Sequence, residues 1–178
     1  MFAVISGTNR PGSQTRRVAD LVSEFLVGAG HEVRLLDLMD LPAELFAPEA
    51  YATKPAEFAP FQEAVSAAQG VVTLVPEYNG SFPGALKYFV DMLRFPESLV
   101  GTPCCFVGLA AGRWGGLRAV EHLEQVYLYR RACPYGERLY LPHVFDVLDD
   151  EGRLPPDLQA RLEAQLTGFV DFAQRLAR

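Results

Sequence analysis

The sequence predicts a doubly wound α/β domain, with a five-stranded parallel sheet between two layers of helices; five strands admit several orders, of which 2-1-3-4-5 is the one adopted as the expectation. Three observations carry this. Short apolar runs bounded by Gly, Pro and polar residues alternate with amphipathic stretches, the pattern of repeated βα units. The run Val71 to Pro76 is β-branched and apolar without alternation, as a strand covered on both faces is. With 178 residues, 49% of them apolar and 21% charged, the chain is long enough for one compact domain and short for two.

Met1 to Ser6 reads as the first, buried strand. From Gln14 to Gly28, Val18, Leu21, Val22, Phe25 and Leu26 recur at three- and four-residue spacing and make one apolar helix face. Gly28 and Gly30 punctuate its exit, and Glu32 to Leu38 is the second strand. A loop rich in Pro and Ala runs from Met39 to about Pro55, followed by a helix over roughly Ala56 to Gln69. Gly70 leads into the third strand, and a helix from near Pro83 carries Leu86, Phe89, Val90 and Leu93. Pro103 to Leu109 is the fourth strand and Gly115 to Arg131 its helix. Glu137 to Pro142 gives a short fifth strand. The last helix, about Pro156 to Leu176, places Leu158, Leu162, Leu166 and Phe169 on one side. No internal repeat or linker interrupts the series, so residues 1–178 are expected to form one domain.

A formal charge of −6 with no basic tract argues against nucleic acid as a partner. No apolar run approaches the ~20 residues that span a bilayer, and strand-like sequence from Phe2 leaves no room for a signal peptide. The expectation is a cytoplasmic protein without a membrane partner. Three cysteines, two of them the adjacent Cys104 and Cys105, form no C-x-x-C pair. His31, His122 and His143 lack ligand-like spacing, so no metal is expected.

The order 2-1-3-4-5 sets strands one and three side by side, and ligands of open α/β sheets bind at the carboxyl ends of such a pair. The first loop there, Ser6 to Thr15, bears glycines, hydroxyls and a cation. A helix N-terminus offers unpaired N–H groups and a positive dipole end, which favour a phosphate. Thr8, Ser13 and Thr15 add hydroxyls, Gln14 opens the helix, and Arg10 adds a planar cation able to hold two oxygens. Gly7 and Gly12 have P-loop spacing, but Ser13 stands where the lysine belongs, and no G-x-G-x-x-G is present. The plainer alternative is a turn capped by Ser13, which leaves Arg10 between the glycines unexplained.

The second loop, Val75 to Gly84, can rest a flat ring on Pro76 and Tyr78. Asn79 and Gly80 there let backbone N–H groups turn to its polar rim. It reads equally as a strand-to-helix turn with Ser81 as N-cap and Pro83 in the first turn. The third, Ala110 to Gly116, carries Gly112, Gly115 and Gly116 around Arg113 and Trp114. Its glycines serve either a ligand or a flexible turn.

Together the three loops resemble the NADPH-dependent FMN reductase family, bacterial reductases of flavins, quinones, azo dyes and chromate with a flavodoxin-like fold. The similarity covers Phe2 to about Pro142. Its most specific piece is Pro76-Glu77-Tyr78-Asn79-Gly80-Ser81 followed by Pro83-Gly84-x-Leu86-Lys87. The first loop is similar to the family's G-S-x-R-x-G-S-x-N pattern, with Thr8 in place of a common serine and Thr15 in place of a common asparagine. The resemblance implies FMN phosphate on Thr8, Arg10, Ser13 and Thr15. It places the isoalloxazine ring on Pro76, Glu77, Tyr78 and Asn79, and its pyrimidine edge along Gly112 to Gly116. It also implies a homodimer or homotetramer, with His122 and Tyr127 either at an interface or, for His122, in solvent.

The chemistry so implied is transfer of hydride from NADPH or NADH to FMN and then to a small acceptor. The flavin carries the reaction and the protein binds and orients. Backbone N–H groups at Gly112 and Arg113 can stabilise charge on the reduced ring. No general acid or base is assigned. Rivals are a flavodoxin-type electron carrier and a flavin-binding sensor. Arg10 and the Pro76 to Ser81 string favour the reductase over the carrier. A low-molecular-weight phosphatase is excluded because no cysteine precedes Cys104.

Overall fold

The computed structural model describes residues 1–176. Strand β1 (Phe2–Ser6) is flanked by β2 (Val33–Asp37) and β3 (Gly70–Pro76), so that Val4 lies beside Leu35 on one side and Val72 on the other. β4 (Pro103–Leu109) follows on the far side of β3, and all these pairings are parallel. The order is the expected 2-1-3-4-5, with a sixth strand.

Both faces of the sheet are covered, which is why its strands read as unbroken apolar runs. Ala3, Ile5, Val71, Val75 and Phe106 pack against α2 (Ala59–Ser66), α3 (Gly84–Met92) and α4 (Leu117–Tyr129), through Val65, Leu86, Phe89 and Leu123. Their neighbours Phe2, Val4, Val72, Leu74 and Val107 face the opposite layer. There they meet Val18, Val22 and Leu26 of α1 (Gln14–Gly28), and Leu162, Leu166 and Phe169 of the last helix, Pro156–Leu176. Gly70 starts β3 where no side chain fits, since a Cβ there would lie 2.7 Å from the Phe169 ring.

Two regions differ from the sequence reading. The stretch after β2 is not a plain loop. It forms single 3-10 turns at Leu38–Asp40, Ala43–Phe46, Pro48–Tyr51 and Ala56–Phe58, which bury Leu38, Leu45, Ala50 and Phe58 in the core. One-turn elements are too short to print a period on the sequence.

The fifth strand is broken. β5 (Cys133–Pro134) pairs with Pro103 and Cys104, and β6 (Leu139–Leu141) with Val107 to Leu109, both on the same edge of β4. Between the two, Cys105 and Phe106 face Tyr135, Gly136, Glu137 and Arg138, a surplus that cannot pair residue for residue. Gln165, buried on the last helix, bridges the gap. Its Nε2 donates to the carbonyls of Phe106 (2.9 Å) and Glu137 (3.0 Å). A further short helix, α5 (Val144–Val147), follows β6, and the helix Pro156–Leu176 is α6.

Candidate functional site

The carboxyl ends of β1, β3, β4 and β6 open on one cavity of about 430 Å³. Its first wall is the loop from β1 to α1. Gly7 lets the chain leave the sheet tight against β3, donating its N–H to Leu74 O (3.0 Å) where a Cβ would lie 2.3 Å from that oxygen. Gly12 adopts φ +63°, which turns the chain into the helix. Ser13 caps α1, its Oγ accepting from Arg16 N–H at 3.2 Å.

Arg10, Ser13, Gln14 and Thr15 all line this end of the cavity. The backbone N–H groups of Gln14 and Thr15 have no acceptor among the described residues, as first-turn amides do not. Three arginines gather here with different commitments. Arg16 pairs with Asp20 (3.0 Å) and Asp37 (3.1 Å), and those two carboxylates raise its pKa. Arg17 donates to Gln14 Oε1 and to the carbonyls of Asp149 and Asp150. Among the described residues Arg10 makes no ion pair or side-chain hydrogen bond, and it is exposed at the cavity. A cation and two orphan amides at one end of a cavity fit a phosphate monoester.

The opposite wall is the loop after β3. Pro76, Glu77, Tyr78 and Asn79 line the cavity. Glu77 N–H donates to Leu109 O (3.0 Å), and Tyr78 and Ser81 exchange both backbone hydrogen bonds at 2.7 and 3.1 Å. Asn79 (φ +51°) and Gly80 (φ +77°) thus form the centre of a tight type I′ turn. Gly80 shapes the turn and does not line the cavity. Ser81 Oγ lies 3.0 Å from His122 Nδ1 on α4.

Several predicted positions stand outside the cavity. Thr8 is buried, its Oγ1 at 2.7 Å from the Tyr78 hydroxyl. Gly112 and Arg113 are exposed beyond the lining, with the Arg113 guanidinium 4.7 Å from the centre of the Trp114 ring. Gly115 and Gly116 serve the fold. They hold φ +58° and +84°, and their Cβ atoms would fall 2.9 Å from Leu141 N and 2.7 Å from Leu109 N. From the same loop it is Ala110 and Ala111 that reach the cavity.

Sequence reasoning missed Leu109, Val144 and Phe145, which close the cavity from β4 and α5. The rule that ligands gather at strand carboxyl ends applies to the fifth strand too, and would have pointed to Val144 and Phe145.

A parallel 2-1-3-4-5 sheet with an anion-ready helix N-terminus at its switch point defines the flavodoxin-like class of α/β proteins. Within that class the chain belongs to the NADPH-dependent FMN reductase family, whose model matches residues 1–146. It is 30% identical to an NAD(P)H-dependent FMN reductase of Pseudomonas aeruginosa, over 97% of this chain and 94% of that protein. It is 31% identical to a quinone reductase of Escherichia coli K12, over 96% and 93%. The solved structure of the flavoenzyme NAD(P)H:acceptor oxidoreductase of Paracoccus denitrificans superposes with a TM-score of 0.81. The two share 22% identity over 98% of this chain and 97% of that one. FMN and NAD(P)H are accordingly the cofactor and reductant of this enzyme. Among the described residues no helix is long and apolar enough to cross a membrane.

Proposed function

We propose that the chain passes two electrons from NAD(P)H to a small planar acceptor, a quinone or a free flavin, above FMN held in the 430 Å³ cavity. The observation that carries this is the cavity's polarity. The β1–α1 loop offers Arg10 with the Gln14 and Thr15 amides, and the other walls offer Pro76, Tyr78 and Phe145 as flat apolar surface.

Bound FMN supplies the hydride chemistry of both half-reactions. Arg10 and the first turn of α1 hold the phosphate, with the Ser13 and Thr15 hydroxyls beside them. The N–H group of Asn79, which lines the cavity and has no acceptor among the described residues, meets the polar rim of the ring. That of Ala111, equally without an acceptor, does the same from the β4 side. Exposed Tyr78 and Phe145 border the mouth and stack a second planar molecule on the first. The quinone reductase relative and the family match support the acceptor class.

Anaerobic mixing tests the reading. Holo-protein and NADPH or NADH should bleach the oxidised-flavin absorption in one two-electron step, and added quinone should restore it with continued consumption of nicotinamide. Bleaching by dithionite but by neither nicotinamide would assign the chain to the electron carriers instead.

A further inference from the structure

We propose that the hydroxyl pair of Thr8 and Tyr78 couples the phosphate loop to the ring loop, so that Thr8 is a positioning residue for the flavin ring. This rests on the flavin reading above and goes beyond it, because the family pattern places Thr8 at the phosphate.

The geometry sets Thr8 apart from the phosphate donors. Thr8 is 1% exposed and does not line the cavity. Its Oγ1 accepts the backbone N–H of Arg10 at 3.2 Å and lies 2.7 Å from the Tyr78 hydroxyl, a full-strength O–H···O distance. A threonine hydroxyl has one proton and two lone pairs. One lone pair takes the Arg10 amide, and the rest of the group serves Tyr78 whichever of the two hydroxyls donates. A single buried oxygen therefore touches the loop that presents Arg10 and the loop that presents Tyr78, 70 residues apart in the chain.

What happens at the Tyr78 hydroxyl is passed on. Tyr78 is 38% exposed, and the bond from its hydroxyl to Thr8 anchors the far end of its ring. Its backbone is paired in both directions with Ser81, so holding the phenol holds the turn with the Asn79 amide. The far side of that turn is tied to α4 by Ser81 and His122. Displacement of the Arg10 backbone thus moves Thr8, then Tyr78, then the amide that meets the ring.

A double-mutant cycle in FMN titrations, read with the visible spectrum of the bound flavin, tests the coupling. Thr8→Val and Tyr78→Phe should each weaken FMN about tenfold. The double variant should lose no more than Thr8→Val alone, because that substitution, which also frees the Arg10 amide, already removes the bond that Tyr78→Phe breaks. Both should change the bound flavin's spectrum in the same way, although Thr8 lies in the phosphate loop. Arg10→Ala keeps the backbone N–H, and should weaken binding while leaving that spectrum as in the wild type. Thr8→Ser should restore both affinity and spectrum. Losses that multiply to about a hundredfold in the double variant would overturn the coupling, as would a wild-type spectrum in Thr8→Val. Should Thr8→Val not fold, Tyr78→Phe decides alone, since it removes one hydroxyl and keeps the ring: unchanged affinity and spectrum refute the proposal. Failure of the wild type to bind FMN in the same titration would instead overturn the functional reading.

Discussion

Arg10 differs from Arg16 and Arg17 in what it lacks. The two helix arginines are held by Asp20, Asp37, Gln14 and two backbone carbonyls, whereas Arg10 has none of these and stands at the cavity. Hydrogen bonds to a charged group contribute about 1.5–3 kcal/mol, so Arg10→Ala should weaken FMN roughly ten- to a hundredfold in a fluorescence titration. The melting temperature of the apo-protein should hardly move, because Arg10 is exposed and makes no side-chain hydrogen bond among the described residues. Riboflavin, which lacks the phosphate, should bind weakly and respond little to the substitution. Arg10 was legible in the sequence because an arginine between Gly7 and Gly12 has no use in a bare turn. Thr8 was not, since its partner lies far along the chain and a hydroxyl does not reveal which way it bonds. Gly115 misled for a related reason. A glycine required because Leu141 backbone lies 2.9 Å from its Cβ position looks, in sequence, like a glycine required by a ligand.

Elements with a full period were legible throughout, and the broken fifth strand only in its second half. α1, β4 and α6 run over the predicted residues, because each shows either several turns of amphipathic spacing or an unbroken apolar run between Gly and Pro. The three-residue β6 falls inside the predicted Glu137 to Pro142, but the two-residue β5 carries no pattern, and what joins the two is a side chain. Gln165 Nε2 faces two carbonyl oxygens, which fixes the orientation of its amide. Gln165→Leu would keep the volume but take this donor from the Phe106 and Glu137 carbonyls. Glu137 is exposed and water reaches its carbonyl, but the Phe106 carbonyl bond is buried; a buried polar group left unpaired costs about 1–3 kcal/mol, so a loss of that size is expected in urea unfolding, with the m-value unchanged. A loss under about 0.5 kcal/mol would mean that water takes over the Phe106 carbonyl as well.

Across the whole molecule the two core layers enclose ionisable groups that the cavity chemistry does not use. Burial pushes the Cys105 thiol up to about 12 from 9.0, against the pull of its hydrogen bond from Gln165, and raises the Cys104 thiol too. The Tyr127 phenol, whose oxygen is 3.1 Å from Thr73 Oγ1, is likewise raised by burial from 10.0. In the folded protein these groups keep their protons well into alkaline solution, whereas in the unfolded chain the thiols release theirs from about pH 9. Unfolding then releases protons, so stability falls as pH rises. The slope is about 1.4 kcal/mol per pH unit for each group that has ionised in the unfolded state only. This stabilisation is fully present below pH 9, weakens as pH rises above it, and for Cys105 levels off near 12. Urea midpoints measured from pH 8 to 11 should therefore be steady at first and drop above 9. Cys105→Ala, less stable at neutral pH because it leaves a small void, should show a shallower fall by about one proton's worth. Parallel pH curves for the two proteins would show that the Cys105 thiol ionises alike in the folded and unfolded chain, and so that the sheet between the two helical layers is open to water.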